Sequence, residues 1–232
     1  MKGTIAYRFE TPTYPGNILY LNLISNYSCT NSCVFCGRPK SRKEIGQPNI
    51  YEKKAGSSLY LEKKPTVKQA LNAIAAKIKP TDNEIAIVGL GEPLLNFLTV
   101  EKLLTEIKRK YSVKTRIDTN GTIRCIFKNP AQRLAKAGLD EIRISLNAVS
   151  KKEYDKLCNP IFPQAFEELQ KFIKDCIKES IETKASFVED FKRKEIKQSG
   201  RKEREKFALS LGIKKKNIIF RKFMKPIKVW GF

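Results

Sequence analysis

The sequence predicts an α/β fold with a parallel sheet, built as an open, partial (β/α)6 TIM-like barrel. Three observations carry this. Short apolar stretches alternate with stretches of helical period through the 232 residues, the pattern of repeated βαβ units. There are about six such units, short of the eight that close a barrel. Four unusual segments also fall where strands should end: Cys29 to Cys36, Gly89 to Pro93, Asn120-Gly121 and Ser145 to Asn147. Parallel α/β folds build their sites at those ends.

The elements follow in order. Residues 18–25 are apolar and bounded by polar residues, as a buried parallel strand would be. Thr66-Val67-Lys68-Gln69 reads as a capping box, followed by Val67, Ala70, Leu71, Ile74 and Ile78 at helical spacing. Residues 84–88 form a second strand, and Val100, Leu103, Leu104 and Ile107 mark the next helix. Residues 113–119 are a third strand. Asn129 as cap, Pro130 at the first position and Gly138 as stop delimit another helix.

Residues 141–146 are the fourth strand. Ser150 and Glu153 suggest a second capping box, and Phe166, Leu169, Phe172, Ile173, Cys176 and Ile177 an apolar stripe. Residues 182–188 and 217–223 complete six strands, with a helix over 201–211 that stops at Gly212. Residues 1–232 are expected to form one domain. Residues 37–61, polar, basic and broken by Pro39, Gly46, Pro48 and Gly56, should be a long loop or lid, or else disordered.

Composition narrows the chemistry. Histidine is absent and cysteine occurs six times, which excludes His-ligated zinc, a Ser–His triad and an imidazole base. The cysteines are too few and too uneven for a disulfide framework. No apolar run reaches the length of a membrane span, and the N-terminus lacks the pattern of a signal peptide. A cytoplasmic location is therefore expected, where thiols stay reduced. The net charge is +22, and residues 192–232 hold 15 Lys and Arg against three Glu.

Cys29, Cys33 and Cys36 are the candidate metal ligands. A [4Fe–4S] cube has four irons held by thiolates, so three clustered cysteines leave one iron open to a non-protein ligand. Structural zinc is the competing reading, but it wants four ligands, usually in two pairs. Cys125, Cys158 and Cys176 lack clustered spacing and read as core, although a second cluster is the alternative. Cys158, near the predicted rim, is the one of interest.

Together these segments resemble the radical AdoMet (radical SAM) superfamily, whose hallmark is Cys-x3-Cys-x2-Cys after the first barrel strand. The resemblance implies a [4Fe–4S] cluster on the three cysteines, with S-adenosylmethionine chelating the fourth iron. It also implies an external one-electron reductant of the flavodoxin or ferredoxin type, and cleavage of the sulfonium to a 5′-deoxyadenosyl radical. Phe35 matches the aromatic position beside the adenine. Gly89-Leu90-Gly91-Glu92-Pro93 is similar to the Gly-Gly-Glu-Pro segment that binds the methionyl amino group, with Leu90 as a departure. Asn120 and Ser145-Leu146-Asn147 match further cofactor contacts.

Short stretches, among them residues 4–8, 19–23, 59–62 and 154–160, are most similar to the small TatD-associated radical SAM proteins. The absence of a C-terminal auxiliary-cluster segment makes peptide maturation of that type the weaker expectation. Lys214, Lys215, Lys216, Arg221, Lys222, Lys225 and Lys228, interleaved with Phe220, Phe223 and Trp230, suggest a nucleic acid or other polyanionic partner. The plainer reading is a solvated lysine-rich surface. Asp118 is either functional or a strand-end cap.

Overall fold

The computed structural model describes residues 3–9, 16–39, 44, 50–191 and 196–223. Lys225, Lys228 and Trp230, and much of the expected loop between residues 40 and 49, lie outside them. The chain divides into two compact units. The first contains residues up to Cys29 together with Gly37–Ile117, and the second contains Thr30–Cys36 together with residues 118–223.

In the first unit, strand β1 (Ala6–Tyr7) pairs antiparallel with β2 (Ile18–Leu21). Strands β3 (Glu84–Ile87) and β4 (Lys114–Thr119) then extend the sheet in parallel, Leu19 opposite Ile85 and Ile85 opposite Thr115. Leu19, Leu21, Ile85, Ala86, Ile87 and Ile117 are buried, the near-continuous apolar character of strands covered on both faces. β1 is an unexpected addition, two residues long and without readable periodicity. It is held by Tyr7 stacked on Tyr20 at 5.5 Å and by Arg8, which makes two hydrogen bonds to buried Asp82, 2.7 and 2.6 Å.

Residues 37–61 are not loop throughout, because helix α1 spans Ile50–Ala55. Its Glu52 carboxylate accepts from Tyr27 Oη (2.5 Å), the Leu59 amide (2.6 Å) and Ser58 Oγ (3.2 Å). Helix α2 (Val67–Ala75) starts with the expected box: Thr66 Oγ1 accepts from the Gln69 amide, and the Gln69 side chain accepts from the Thr66 amide. Helix α3 (Phe97–Lys110) buries Phe97, Val100, Leu103, Leu104 and Ile107.

The second unit takes up the end of β4 and adds β5 (Glu141–Ser145), β6 (Glu182–Glu189) and β7 (Ile218–Lys222), all parallel. Its helices are α4 (Pro130–Lys136), α5 (Lys151–Cys158), α6 (Ala165–Lys178) and α7 (Arg201–Ser210). Two capping expectations need correction. Asn129 is left-handed, with φ 49°, and its side chain makes no cap hydrogen bond. Ser150 does cap α5, but the Glu153 carboxylate accepts from the Val149 amide and from Ser199 instead of closing the box. The stripe from Phe166 to Cys176 belongs to α6, separated from α5 by Pro160 and Pro163. Cys158 and Cys176 are fully buried, while Cys125 is half-buried.

Among the described residues, no helix is long and apolar enough to cross a membrane.

Candidate active site: the cysteine loop and its anchors

The loop from Cys29 to Cys36 leaves the first unit at Cys29 and continues in the second from Thr30. Each unit grips its own part of it differently.

In the first unit, Asn26 and Tyr27 just before the loop both adopt positive φ, 50° and 49°, a conformation that surrounding contacts must impose on non-glycine residues. Buried Tyr27 supplies them, donating to Glu52. Burial, with Glu52 adding to it, pushes the Tyr27 hydroxyl pKa well above the ordinary tyrosine value, so the hydroxyl stays a donor. The Tyr27 carbonyl accepts from Arg38, just past Cys36, at 2.9 Å.

The Ser28 carbonyl then accepts from the Glu92 amide at 2.9 Å. This contact explains Gly91. Its φ is +136°, and a Cβ there would lie 2.4 Å from the Ser28 oxygen. A Cβ on Gly89 would lie 2.6 Å from Asn22 Oδ1. Both glycines therefore have a reason internal to the chain: backbone and side chain fill the space a methyl would need. Leu90, the departure between them, packs with Tyr27, Ala55 and Leu59 in an apolar cluster. Glu92 is no solvated loop carboxylate. It is 3% exposed, and its Oε1 accepts from the Leu94 amide at 3.0 Å, capping the 3-10 turn Pro93–Asn96 that leads into α3. Pro93 is buried at the first position of that turn.

In the second unit side chains join backbone bonds in the grip. Buried Thr30 shares a 2.7 Å hydrogen bond with Thr122 through their hydroxyls. Asn120 donates to Thr30 Oγ1 (2.7 Å) and accepts from the Thr122 amide (3.0 Å) and hydroxyl (2.8 Å). The loop is also stitched to the end of α5. The Ser32 amide donates to the Cys158 carbonyl (2.9 Å), Val34 to Leu157 (2.9 Å), and Ile161 back to Thr30 (2.9 Å). Asn31 Nδ2 donates to Tyr154 Oη at 2.9 Å.

Asn147 is 3% exposed with φ 58°, and its Oδ1 accepts from the Val188 amide at 3.2 Å. Its Nδ2 reaches the Ser145 carbonyl (3.4 Å) and the Cys158 sulfur (4.0 Å). Ser145, half-buried at the end of β5, lies opposite Ser186. Phe35 packs edge-on against Phe191 at 5.9 Å, and Phe191 against Phe223 at 5.0 Å.

Of the predicted contacts, Gly91 and Glu92 in the first unit and Asn120 in the second anchor the loop or the residue leading into it. Gly89 fits against Asn22, while Ser145 and Asn147 lie at the end of β5 without touching the loop. Thr30, Thr122, Tyr154 and the end of α5 are anchors that sequence reasoning missed. In the sequence, residues 154–160 stand out only by resemblance and by Cys158, and nothing there signals a grip on the cysteine loop. Cys29, Cys33 and Cys36 are each half-buried. Among the described residues no three Cys, Asp or Glu side chains are drawn into a metal-sized group. The donor set fits an iron–sulfur cluster in its chemistry: three thiols within eight residues, none sealed in the core.

Comparison with known proteins agrees. Residues 23–188 match the sequence profile of the Radical SAM superfamily. No curated protein matches the chain. Among solved structures, anSMEcpe with bound AdoMet is similar with a TM-score of 0.62 and 15% identity, over 93% of this chain and 53% of that one. SuiB from Streptococcus suis bound to S-adenosylmethionine gives 0.60 and 19%, over 91% of this chain and 43% of that one. SuiB bound to its precursor peptide SuiA gives 0.58 and 18%, over 85% and 38%. The chain therefore spans only about two fifths to one half of the length of these structures, and the likeness shows a common fold.

Proposed function

The chain belongs to the radical SAM superfamily, enzymes with a partial-barrel fold whose cofactors are a [4Fe–4S] cluster and S-adenosylmethionine, and from that premise we propose its own activity and site. Cys29, Cys33 and Cys36 hold the cluster. Phe35, Gly89, Gly91, Glu92, Pro93, Asn120, Ser145 and Asn147 form the S-adenosylmethionine site. When bound, the reduced cluster supplies one electron that cleaves the sulfonium and starts radical chemistry on a substrate. The electron comes from an external reductant of the flavodoxin or ferredoxin type. A reducing cytoplasm suits ligand thiols, and the subgroup we assign, on short stretches of resemblance, is the TatD-associated one.

The observation that carries this reading is the anchoring of the cysteine loop. Glu92 holds the residue before Cys29, and Asn120 with Thr122 holds the residue after it. The chain's own residues thus position ligands and support the strand-end backbone, as a preorganised site requires. Buried Glu92 keeps its carboxylate on the Leu94 amide, which fixes the Gly91–Pro93 backbone for contact with a methionyl group.

The test is anaerobic cluster reconstitution, reduction and addition of S-adenosylmethionine. The expected result is 5′-deoxyadenosine from the wild type and none from Cys33→Ala, with iron content also reduced. Protein that binds stoichiometric zinc without iron or sulfide would overturn the proposal. A second reading, action on RNA or nucleotides, is favoured by exposed Lys214, Lys215 and Lys216. It requires RNA affinity whose salt dependence falls when those lysines are changed.

A further inference from the structure

The second unit carries a charged pair that the proposed cofactor site does not use. Asp118, near the end of β4, and Arg221, on β7, approach to 3.9 Å. In that unit the strands follow in the order β4 end, β5, β6, β7, so two strands lie between the partners. Strands spaced about 4.8 Å apart put β4 and β7 about 14 Å apart along a flat sheet. The tips meet because the sheet curls, so both project from its concave face.

Alternation along the strands identifies what shares that face. Phe220 points the other way, stacked on Phe187 at 5.6 Å, and α7 covers this side with Arg201 and Arg204 over the two rings. Arg221, one residue on, therefore faces the concave side. Its rung contains Val188, and the rung below contains Ser145, Ser186 and Ile219. Ser145 is a proposed cofactor contact. Arg221 thus lies two residues, about 7 Å, further toward the strand ends.

The other cations on this face are already engaged. Buried Glu141 accepts from Arg143 Nε at 2.5 Å and from Lys184 Nζ at 2.8 Å. Arg221 differs. Its charged neighbour among the described residues is Asp118, beyond hydrogen-bonding distance, and its side chain is 44% exposed. Its planar fork of donors lies on the concave face with no carboxylate within hydrogen-bonding distance among the described residues, the form suited to bidentate capture of an oxyanion.

We propose that Arg221, oriented by Asp118, binds a carboxylate or phosphate group of the substrate one rung beyond the cofactor. The substrate is then a small anion or the anionic part of a larger molecule. This rests on the radical SAM reading above, because the cofactor site defines where the substrate must lie. The guanidinium is a binding group, and Asp118 a positioning residue that also competes with the incoming anion.

The test uses reconstituted protein with S-adenosylmethionine, titrated separately with inorganic phosphate and acetate, with 5′-deoxyadenosine release followed in the same samples. Arg221→Gln should weaken binding of the preferred anion by about tenfold or more, the loss of one charge-assisted pair. Arg221→Lys, which keeps the charge but not the fork, should be intermediate. Asp118→Asn should tighten binding. Lys206→Gln, on the exposed face of α7 in the same unit, should change it little. Whether phosphate or acetate binds more tightly identifies the substrate's anionic group.

Anion binding that is equal in wild type, Arg221→Gln and Lys206→Gln overturns the proposal, and continued 5′-deoxyadenosine release then leaves the enzyme reading standing. Arg221-dependent binding without any 5′-deoxyadenosine sustains the anion site and removes the enzyme reading instead.

Discussion

Each unit holds its own stretch of the chain around the cysteines with a different balance of contacts, the first the residues leading into Cys29 and the second those from Thr30 onward. The first uses backbone against backbone: the Ser28 carbonyl seats on the Glu92 amide in a space kept open by Gly91. The second adds side chains to its backbone bonds, with Thr30, Asn120 and Thr122 closing a small polar triangle. A backbone contact against a missing Cβ is all-or-none, because any side chain displaces it. A side-chain network is graded, because one member can be lost while the others remain. The contrast makes different forecasts for cluster loading, which iron and sulfide content measures directly.

The largest effect is expected from Gly91→Ala. The new methyl would meet the Ser28 oxygen at 2.4 Å, with φ at +136°, and neither partner is a flexible tip. The cost should be about 3 kcal/mol or more, with cluster content falling toward that of Cys33→Ala. Gly121→Ala is the matched comparison. Its φ is also positive, +78°, but the added methyl would meet the Leu169 Cδ1 and Ile144 Cγ2 side-chain tips at 2.3 and 2.9 Å. Those tips can give way, so loading should fall less. Full loading of Gly91→Ala would show that the Ser28 seat is dispensable.

A smaller effect is expected from Asn120→Ala, which removes one corner of the triangle and leaves the Thr30–Thr122 bond. Losing a largely buried hydrogen bond costs about 1–3 kcal/mol, and loading should drop only partly. Combined with Thr30→Val, the two changes should be non-additive by about 1 kcal/mol in urea unfolding, as for groups in one network. Strict additivity would dissolve the triangle as a unit.

The same contrast governs what could be read in the sequence. Thr66 and Gln69 are legible because their bonds close within four residues. Ser150 and Glu153 carry a comparable local pattern, yet Glu153 turns to Ser199, 46 residues on, and only tertiary packing decides that. The glycines and Asn120 stand out by type and place, but the reason the structure supplies is internal fit. Thr30 and Thr122 are 92 residues apart, each beside a conspicuous segment, but no local pattern joins them. The six parallel strands β2 to β7 are legible in order because buried parallel strands are apolar runs, whereas the two-residue β1 is not. Their ends drift by a few residues, since the run 18–25 leaves the ladder at Leu21.

The smallest effect on loading is expected from Asp82→Asn, a change in the first unit that touches no part of the loop grip. Asp82 accepts from Arg8 twice and from the Lys79 amide at 2.7 Å. Burial alone would raise its pKa, but the Arg8 hydrogen bonds and the Lys79 amide outweigh it and hold the carboxyl below its usual value. A depressed carboxylate contributes stability above its unfolded pKa of about 4 and loses it as pH falls through the folded value. Wild type should therefore exceed Asp82→Asn by about 2–3 kcal/mol in urea unfolding at neutral pH, with the gap narrowing below about pH 4. At neutral pH both should load iron equally. Reduced loading in Asp82→Asn would mean that the grip on the loop draws on the stability of the whole first unit, and the contrast between local backbone seat and local side-chain triangle would no longer account for it.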